Sequence, residues 1–310
     1  MLFRSCKELV LTGLEHLEYR GYDSAGMVVI ADAGLERARA VGPVANLRTA
    51  AADVSTTATV GMGHTRWATH GGVEERNAHP FLSEDGRFAV LMNGIFENYV
   101  ELRAEVAAAG AALASDTDTE ALVHLIEEEY DGDLAETCRR LYPRLEGHFA
   151  FLAIARDEPD RIVGARLAWP PLVVGRGDGD TFLASFTPAF LEETRRIQIV
   201  DEGEIVIATR DDVRFVGVAD GQPRLIAEGR PCHREEGARA AARQAARLGI
   251  RDLLPAHACA YHFFREISFS TWSSRSRSAT RRFRRPFSCS SWRSRLTSAG
   301  SNEPKCFRQP

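Results

Sequence analysis

His64-Thr65-Arg66-Trp67-Ala68-Thr69-His70-Gly71 packs one Arg, one Trp, two Thr and two His into eight residues, directly after a short apolar run, Val60 to Gly63. That mixture makes poor core. Arg, His and Trp are seldom all buried together without partners, whereas a loop at a strand end can present them to a ligand. An Arg there offers a rigid fork to a carboxylate, and a Trp offers a flat lid of low conformational entropy. A polar loop with one aromatic anchor is the plainer account of any one such residue. It weakens because the same chain also holds Asn93-Gly94 and Thr117-Asp118-Thr119-Glu120.

Each of those two segments has an ordinary local role. Arg87 to Met92 reads as a strand and runs directly into Asn93-Gly94, and Asn-Gly after an apolar run is a common hairpin turn. A side-chain amide beside a Gly backbone N–H is also what an oxyanion hole requires. On these residues alone the turn is the favoured reading. Thr117 to Glu120 precedes an apolar-periodic segment (Leu122, Val123, Leu125, Ile126) and fits a capping box. The box leaves Asp118 unexplained, a carboxylate at a helix start that could hold an ammonium group.

Together these residues resemble the glutaminase domain of type-2 glutamine amidotransferases, which are N-terminal-nucleophile hydrolases. The same resemblance is carried by Leu17-Glu18-Tyr19-Arg20-Gly21-Tyr22-Asp23-Ser24-Ala25-Gly26, Val44-Ala45-Asn46-Leu47, Asn77-Ala78-His79-Pro80, and Asn93-Gly94-Ile95 with Glu97-Asn98-Tyr99. It runs from about Lys7 to about Phe215. The Tyr-Arg-Gly-Tyr-Asp run and the surroundings of Trp67 point to the hexosamine-forming branch rather than to those that feed purine or asparagine synthesis.

The resemblance implies an α+β fold, a four-layer αββα sandwich of two antiparallel sheets between helical layers. It implies glutamine hydrolysis that supplies ammonia for glucosamine 6-phosphate, with no cofactor and no metal. Arg66 is then expected to pair with the glutamine α-carboxylate and Asp118 with its α-ammonium. Asn93 and Gly94 are expected to form the oxyanion hole, and Trp67, Thr69 and His70 to lie on the loop that closes over the substrate. His64 and His79 are read as structural. Fructose 6-phosphate would enter only through two isomerase domains, none of whose Ser/Thr-rich phosphate loops is recognisable here. A homo-oligomer is compatible with the family.

The family's nucleophile is a cysteine at the mature N-terminus, whose own α-amino group serves as base. The family begins Met-Cys-Gly-Ile and makes a strand before its first helix. This chain begins Met1-Leu2-Phe3-Arg4-Ser5-Cys6 and is almost at once in that helix. Cys6 is internal and carries no free amine, although a helix N-terminus can lower a thiol pKa. The expectation is therefore a domain without its first strand and nucleophilic Cys, and an impaired glutaminase.

Composition sets the outer bounds. The 310 residues, 44% of them hydrophobic, suffice for one large core or two smaller ones. No apolar run reaches the length of a membrane span, and Met1 to Lys7 lacks the apolar core of a signal peptide, so a cytoplasmic protein is expected. The six Cys are scattered without CxxC spacing, which indicates neither a zinc site nor a disulfide framework. The net charge of −4 conceals an asymmetry. Arg265 to Pro310 holds ten Arg and one Lys against Glu266 and Glu303, a balance of +9 that leaves −13 for the rest.

Along the chain, helices are expected over Lys7 to Tyr19, Glu97 to Ala109, Asp118 to Tyr130 and Leu134 to Leu141. Strands are expected over Met27 to Ile30, Val60 to Gly63 and Phe88 to Met92. A further series follows: Phe149 to Ala155, Arg161 to Gly164, Leu172 to Val174, Thr181 to Ala184, Ile197 to Val200, Glu204 to Ala208 and Val213 to Val216. Strands, then helices, then strands fit a layered α+β domain over residues 1–219. Residues 220–267 read as a linker. Residues 268–310, rich in Ser and Arg, cannot bury enough apolar area to offset chain entropy and read as a disordered or out-of-frame tail. Two other functions stay open: a non-catalytic glutamine-binding module, and a nucleic-acid-associated protein acting through the basic tail.

Overall fold

Residues 5–224 and Arg230–Pro231 are described by the structure, a computed structural model. Their layering follows from where the apolar side chains can go. Strand β1 (Ser24–Ala31) is a nearly unbroken apolar run because both of its faces are covered. Ala25, Met27 and Val29 pack under helices α1 (Cys6–Leu17) and α2 (Val44–Ala50), while Val28 and Ile30 point the other way into an inter-sheet core. Antiparallel partners β2 (Gly34–Val41) and β3 (Gly61–Arg66) flank β1.

A six-stranded antiparallel sheet lies across that core. In spatial order it comprises β12 (Val213–Gly217), β11 (Glu204–Thr209), β7 (Arg161–Leu167), β6 (Gly147–Ala155), β5 (Phe88–Phe96) and β4 (Phe81–Leu82). Ala89 and Leu91 of β5 and Ala150, Leu152 and Ile154 of β6 face the inter-sheet core. The alternate residues Phe88, Val90, Met92, Phe96, Phe149 and Phe151 face helices α3 (Tyr99–Ala108), α4 (Thr119–Glu129) and α5 (Leu134–Leu141). A third sheet is formed by β8 (Val173–Arg176), β9 (Thr181–Ala184), β10 (Arg196–Ile199) and β13 (Arg230–Pro231). It places Leu172, Val174 and Val200 into the same inter-sheet core. Helices, sheets, sheet and helices give the expected αββα sandwich. Each fully buried large side chain in these cores contributes roughly 1.5–3 kcal/mol.

Several boundaries differ from the sequence reading. Strand β3 runs on through His64, Thr65 and Arg66, and β5 runs on to Phe96, so Asn93-Gly94 is inside a strand and not a hairpin turn. Asp118, not Thr117, caps α4, accepting from Thr119 N–H at 2.9 Å. Glu120 turns away from the cap and accepts from Ala114 and Ser115 N–H, at 2.8 Å each. The N-cap of α5 is Asp133, which accepts from Ala135 and Glu136 N–H. Beyond β12, Arg224 N–H still donates to Phe215 O at 2.8 Å. Most of the expected linker and all of the expected tail lie outside the described residues. No helix among the described residues is long and apolar enough to cross a membrane.

Candidate functional site

The alternation of a strand places the first pair of site residues. Met62 of β3 and Leu91 of β5 meet in the inter-sheet core, so the next inward positions on these strands are His64 and Asn93. They touch: His64 Nε2 lies 2.9 Å from Asn93 Oδ1. His79 stacks on His64 with ring centroids 4.4 Å apart and accepts from Met92 N–H at 3.3 Å through Nδ1. Both rings are buried and held neutral. Burial, reinforced by the charges of Arg66 and Arg20, pushes His64 down to about 4. Burial likewise carries His79 well below its ordinary value, with His64 and Arg66 adding to it.

Gly94 follows with φ +99°, a conformation that L side chains rarely adopt. It pairs with Phe149 of β6, and a Cβ placed there would stand 1.9 Å from His148 O. The backbone of β6 thus occupies the space where a side chain would go, and only glycine fits.

Arg66 is the third inward residue of β3. It is 4% exposed, and its guanidinium donates to Gly72 O at 3.1 Å, to Gly71 O at 3.3 Å and to His70 O. The side chain thereby closes the loop that follows its own strand. Asp23 Oδ2 holds the same loop from outside, accepting from Ala68 N–H at 2.9 Å. Trp67 is exposed and meets Tyr22 edge-on at 5.5 Å, and Thr69 is exposed beside it. Burial lowers the Arg66 pKa, and the charges of Asp23 and Asp118 oppose that shift.

Asp118 joins α4 to the end of β5. Its Oδ2 accepts from Phe96 N–H at 2.9 Å while Oδ1 caps the helix. His70 Nδ1 stands 3.9 Å from Oδ2, and the His70 ring lies on Tyr99 at 4.7 Å. Burial raises the Asp118 pKa, against the pull of the Phe96 hydrogen bond and of His70. One fixed cation, one fixed anion and one oriented amide therefore stand where β3, β5 and the start of α4 converge. Such a set suits a small molecule that carries both charges and a polar group between them.

Three residues in this arrangement carry no sequence signal of the part they play. Asp23 and Tyr99 fall in runs that mark the family without showing a function, and His64 reads as structural. Nothing local in the sequence marks the contact between His64 and Asn93, which are 29 residues apart. Cys6 is buried against Gly61, and burial pushes its thiol up to about 12, the reverse of the activation that a helix start can give. Cys138 is buried and its thiol is raised as well. Among the described residues no group of three or more His, Cys, Asp or Glu is placed to hold a metal.

Residues 46–209 match the family model of the glutamine amidotransferase domain. Over 223 residues the chain is 48% identical to the glutamine–fructose-6-phosphate aminotransferase (isomerizing) of Streptomyces coelicolor, covering 71% of this chain and 36% of that protein. Identity to the Thermus thermophilus enzyme of the same name is 44% over 233 residues, covering 75% and 37%. The chain thus spans about a third of the length of the curated relatives it matches. Among solved structures, it superposes with a TM-score of 0.60 on the glutamine phosphoribosylpyrophosphate amidotransferase of B. subtilis in complex with ADP and GMP, at 24% identity, covering 69% of this chain and 47% of that one. A second neighbour, described as the allosteric regulatory enzyme of purine biosynthesis, also gives 0.60, at 25% identity, covering 68% and 46%. The sandwich is that of the N-terminal-nucleophile hydrolases.

Proposed function

The chain belongs to the glutamine amidotransferase domain family, and from that membership we propose that it is the glutamine-binding, glutaminase part of a glutamine–fructose-6-phosphate aminotransferase. The observation that carries the proposal is the convergence of Arg66, Asn93 and Asp118 at one end of the inter-sheet core. In this reading the Arg66 fork takes the α-carboxylate and Asp118 takes the α-ammonium. Asn93 and Gly94 receive the oxygen of the side-chain amide, and Trp67, Thr69 and His70 close over it. Each charge-assisted contact is worth about 1.5–3 kcal/mol.

Hydrolysis also needs an attacking group. Cys6, buried and far from ionisation at neutral pH, does not supply one. The proposal is therefore glutamine binding at this site, with Cys6 excluded as the attacking group. Transfer of ammonia to fructose 6-phosphate is proposed only for an assembly that adds isomerase domains.

Two measurements test the proposal. Titration calorimetry with glutamine is expected to give binding that Arg66→Ala and Asp118→Ala each weaken. Affinity unchanged in both variants would remove the site assignment. Ammonia release from glutamine tests the exclusion of Cys6, and robust turnover abolished by Cys6→Ala would overturn it.

A further inference from the structure

Asn93 can serve an oxyanion only if its amide is turned the right way. The side chain has one donor end and one acceptor end, and the two are nearly the same size. A reversed amide would aim its oxygen at the developing negative charge, and the hole would repel what it should hold. Something must set the orientation. Asn93 sits on the inward face of β5, and the group that meets its Oδ1 is His64 Nε2, at 2.9 Å.

We propose that His64 is a positioning residue which donates its Nε2–H to Asn93 Oδ1 and so fixes the Asn93 amide with its NH2 turned toward the substrate. This rests on the oxyanion reading of Asn93. The proton is placed on Nε2 by the other end of the ring. His64 Nδ1 is buried and makes no hydrogen bond among the described residues, although the Met92 backbone near the ring, like Asn93, favours a ring N–H. A proton on Nδ1 would be an unpaired buried donor, and it would leave Nε2 as an acceptor that selects the reversed amide. The ring itself is held in place. His79 stacks on it at 4.4 Å, and His79 Nδ1 accepts from Met92 N–H, the peptide next to Asn93. The two histidines therefore grip the strand at the residue that bears the amide and at the one before it. The geometry gives them a task beyond filling space, since a Phe pair would pack there without orienting anything.

The experiment uses the whole chain, with L-glutamine and L-methionine sulfone as probes. The sulfone is tetrahedral at sulfur, and one of its oxygens stands in for the oxyanion. His64→Phe keeps the ring and removes the donor. His64→Gln restores an N–H at the reach of Nε2. His64→Phe is expected to lower sulfone affinity about tenfold while changing glutamine affinity much less. His64→Gln should recover most of the loss, and His64→Phe should add nothing in an Asn93→Ala background. Independently of any ligand, long-range proton–nitrogen NMR of the parent chain should find His64 protonated on Nε2 and bare on Nδ1. A proton on Nδ1, or sulfone binding unchanged in a folded His64→Phe variant while Asn93→Ala weakens it, overturns the inference. If Asn93→Ala and Arg66→Ala both leave the two probes untouched, the glutamine-site reading fails instead. In that case the NMR result alone decides how the Asn93 amide is oriented. Should His64→Phe not fold, the tautomer and the His64→Gln variant decide the matter.

Discussion

Gly94→Ala tests the strand that carries the candidate oxyanion hole, and its cost can be worked from two separate geometric facts. Gly94 has φ +99°, and giving an L residue a left-handed conformation costs roughly 1–2 kcal/mol. A methyl on that backbone would also stand 1.9 Å from His148 O and 2.9 Å from the Cα of Phe149. These are backbone atoms of β6, the central neighbour of β5, and they cannot rotate away. Forcing them apart is overpacking of a close-fitted interior, worth about 1–3 kcal/mol more. The total, about 2–5 kcal/mol, is a large part of a typical domain's stability. Gly86 supplies the control. Its φ is +68°, yet nothing lies within 4 Å of its added Cβ, so Gly86→Ala should carry the conformational cost alone. Urea unfolding of both variants, followed by far-ultraviolet circular dichroism, reads the difference directly. Gly94→Ala is expected to be less stable than Gly86→Ala by about 1–3 kcal/mol. Equal losses in the two variants would refute the argument that β6 closes the space beside Gly94.

The remaining predictions concern ionisation. Cys6, with its thiol pushed up to about 12, should resist a disulfide reagent at pH 8 in the folded chain and react in urea, so that Cys6→Ala lowers the thiol count only in urea; a count lowered before unfolding would show that the thiol is accessible and ionised. The Asp118 carboxyl titrates above its ordinary range because it is buried, whereas Arg66 stays charged throughout. Glutamine affinity should therefore fall with falling pH before ordinary carboxylates protonate, and a flat affinity down to their range would contradict the burial of the charged form. His64 and His79 have folded-state values pushed below their ordinary 6.5, so the unfolded chain takes up protons that the folded rings refuse. Their part of the stability is complete above about 6.5 and drains as pH falls toward 4. Thermal melts across that window should steepen accordingly, and His64→Gln should flatten the slope.

Sequence legibility followed the physics of each element. Strands after Gly147 could be read closely, Thr181–Ala184 to the residue, because alternating apolar runs are broken there by strong turn residues. Strand β2 was invisible. It is an edge strand, Gly-Leu-Glu-Arg-Ala-Arg-Ala-Val, in which only Ala38 is buried. Its arginines reach outward, Arg37 to Pro80 O and Arg39 to Ala78 O, contacts that no periodicity encodes. Helix α2 leaves no amphipathic pattern in the sequence, since only two of its seven side chains are buried. Asn93-Gly94 read locally as a turn. Pairing with Ala150 and Phe149 overrides that preference, and the information lies 57 and 55 residues away. The charged residues of the site were legible because an Arg among Trp and His, and an Asp beside a capping box, stand out from their neighbours. Their support was not: Asp23, His64 and Tyr99 act through contacts made only in the folded chain.

The layered architecture also accounts for a site that holds opposite charges so near an apolar core. Burial works against both ions, lowering the Arg66 pKa and raising that of Asp118, and an isolated charge at either place would be costly. Each is stabilised by backbone dipoles before any ligand arrives. Arg66 has the carbonyls of residues 70–72, and Asp118 has the N–H groups of Phe96 and Thr119. The carbonyls belong to the loop after β3, and the N–H groups to the last residue of β5 and the start of α4, where backbone groups are free of the regular ladders. Deeper in the sandwich most of those groups are engaged in strand pairing, and the Met92 N–H that is not is taken by the neutral His79. The charged part of the site accordingly forms where the sheets end. The inward alternation of β3 carries the change from core to chemistry in three steps, with Met62 in apolar contact, His64 oriented on Asn93, and Arg66 charged at the rim.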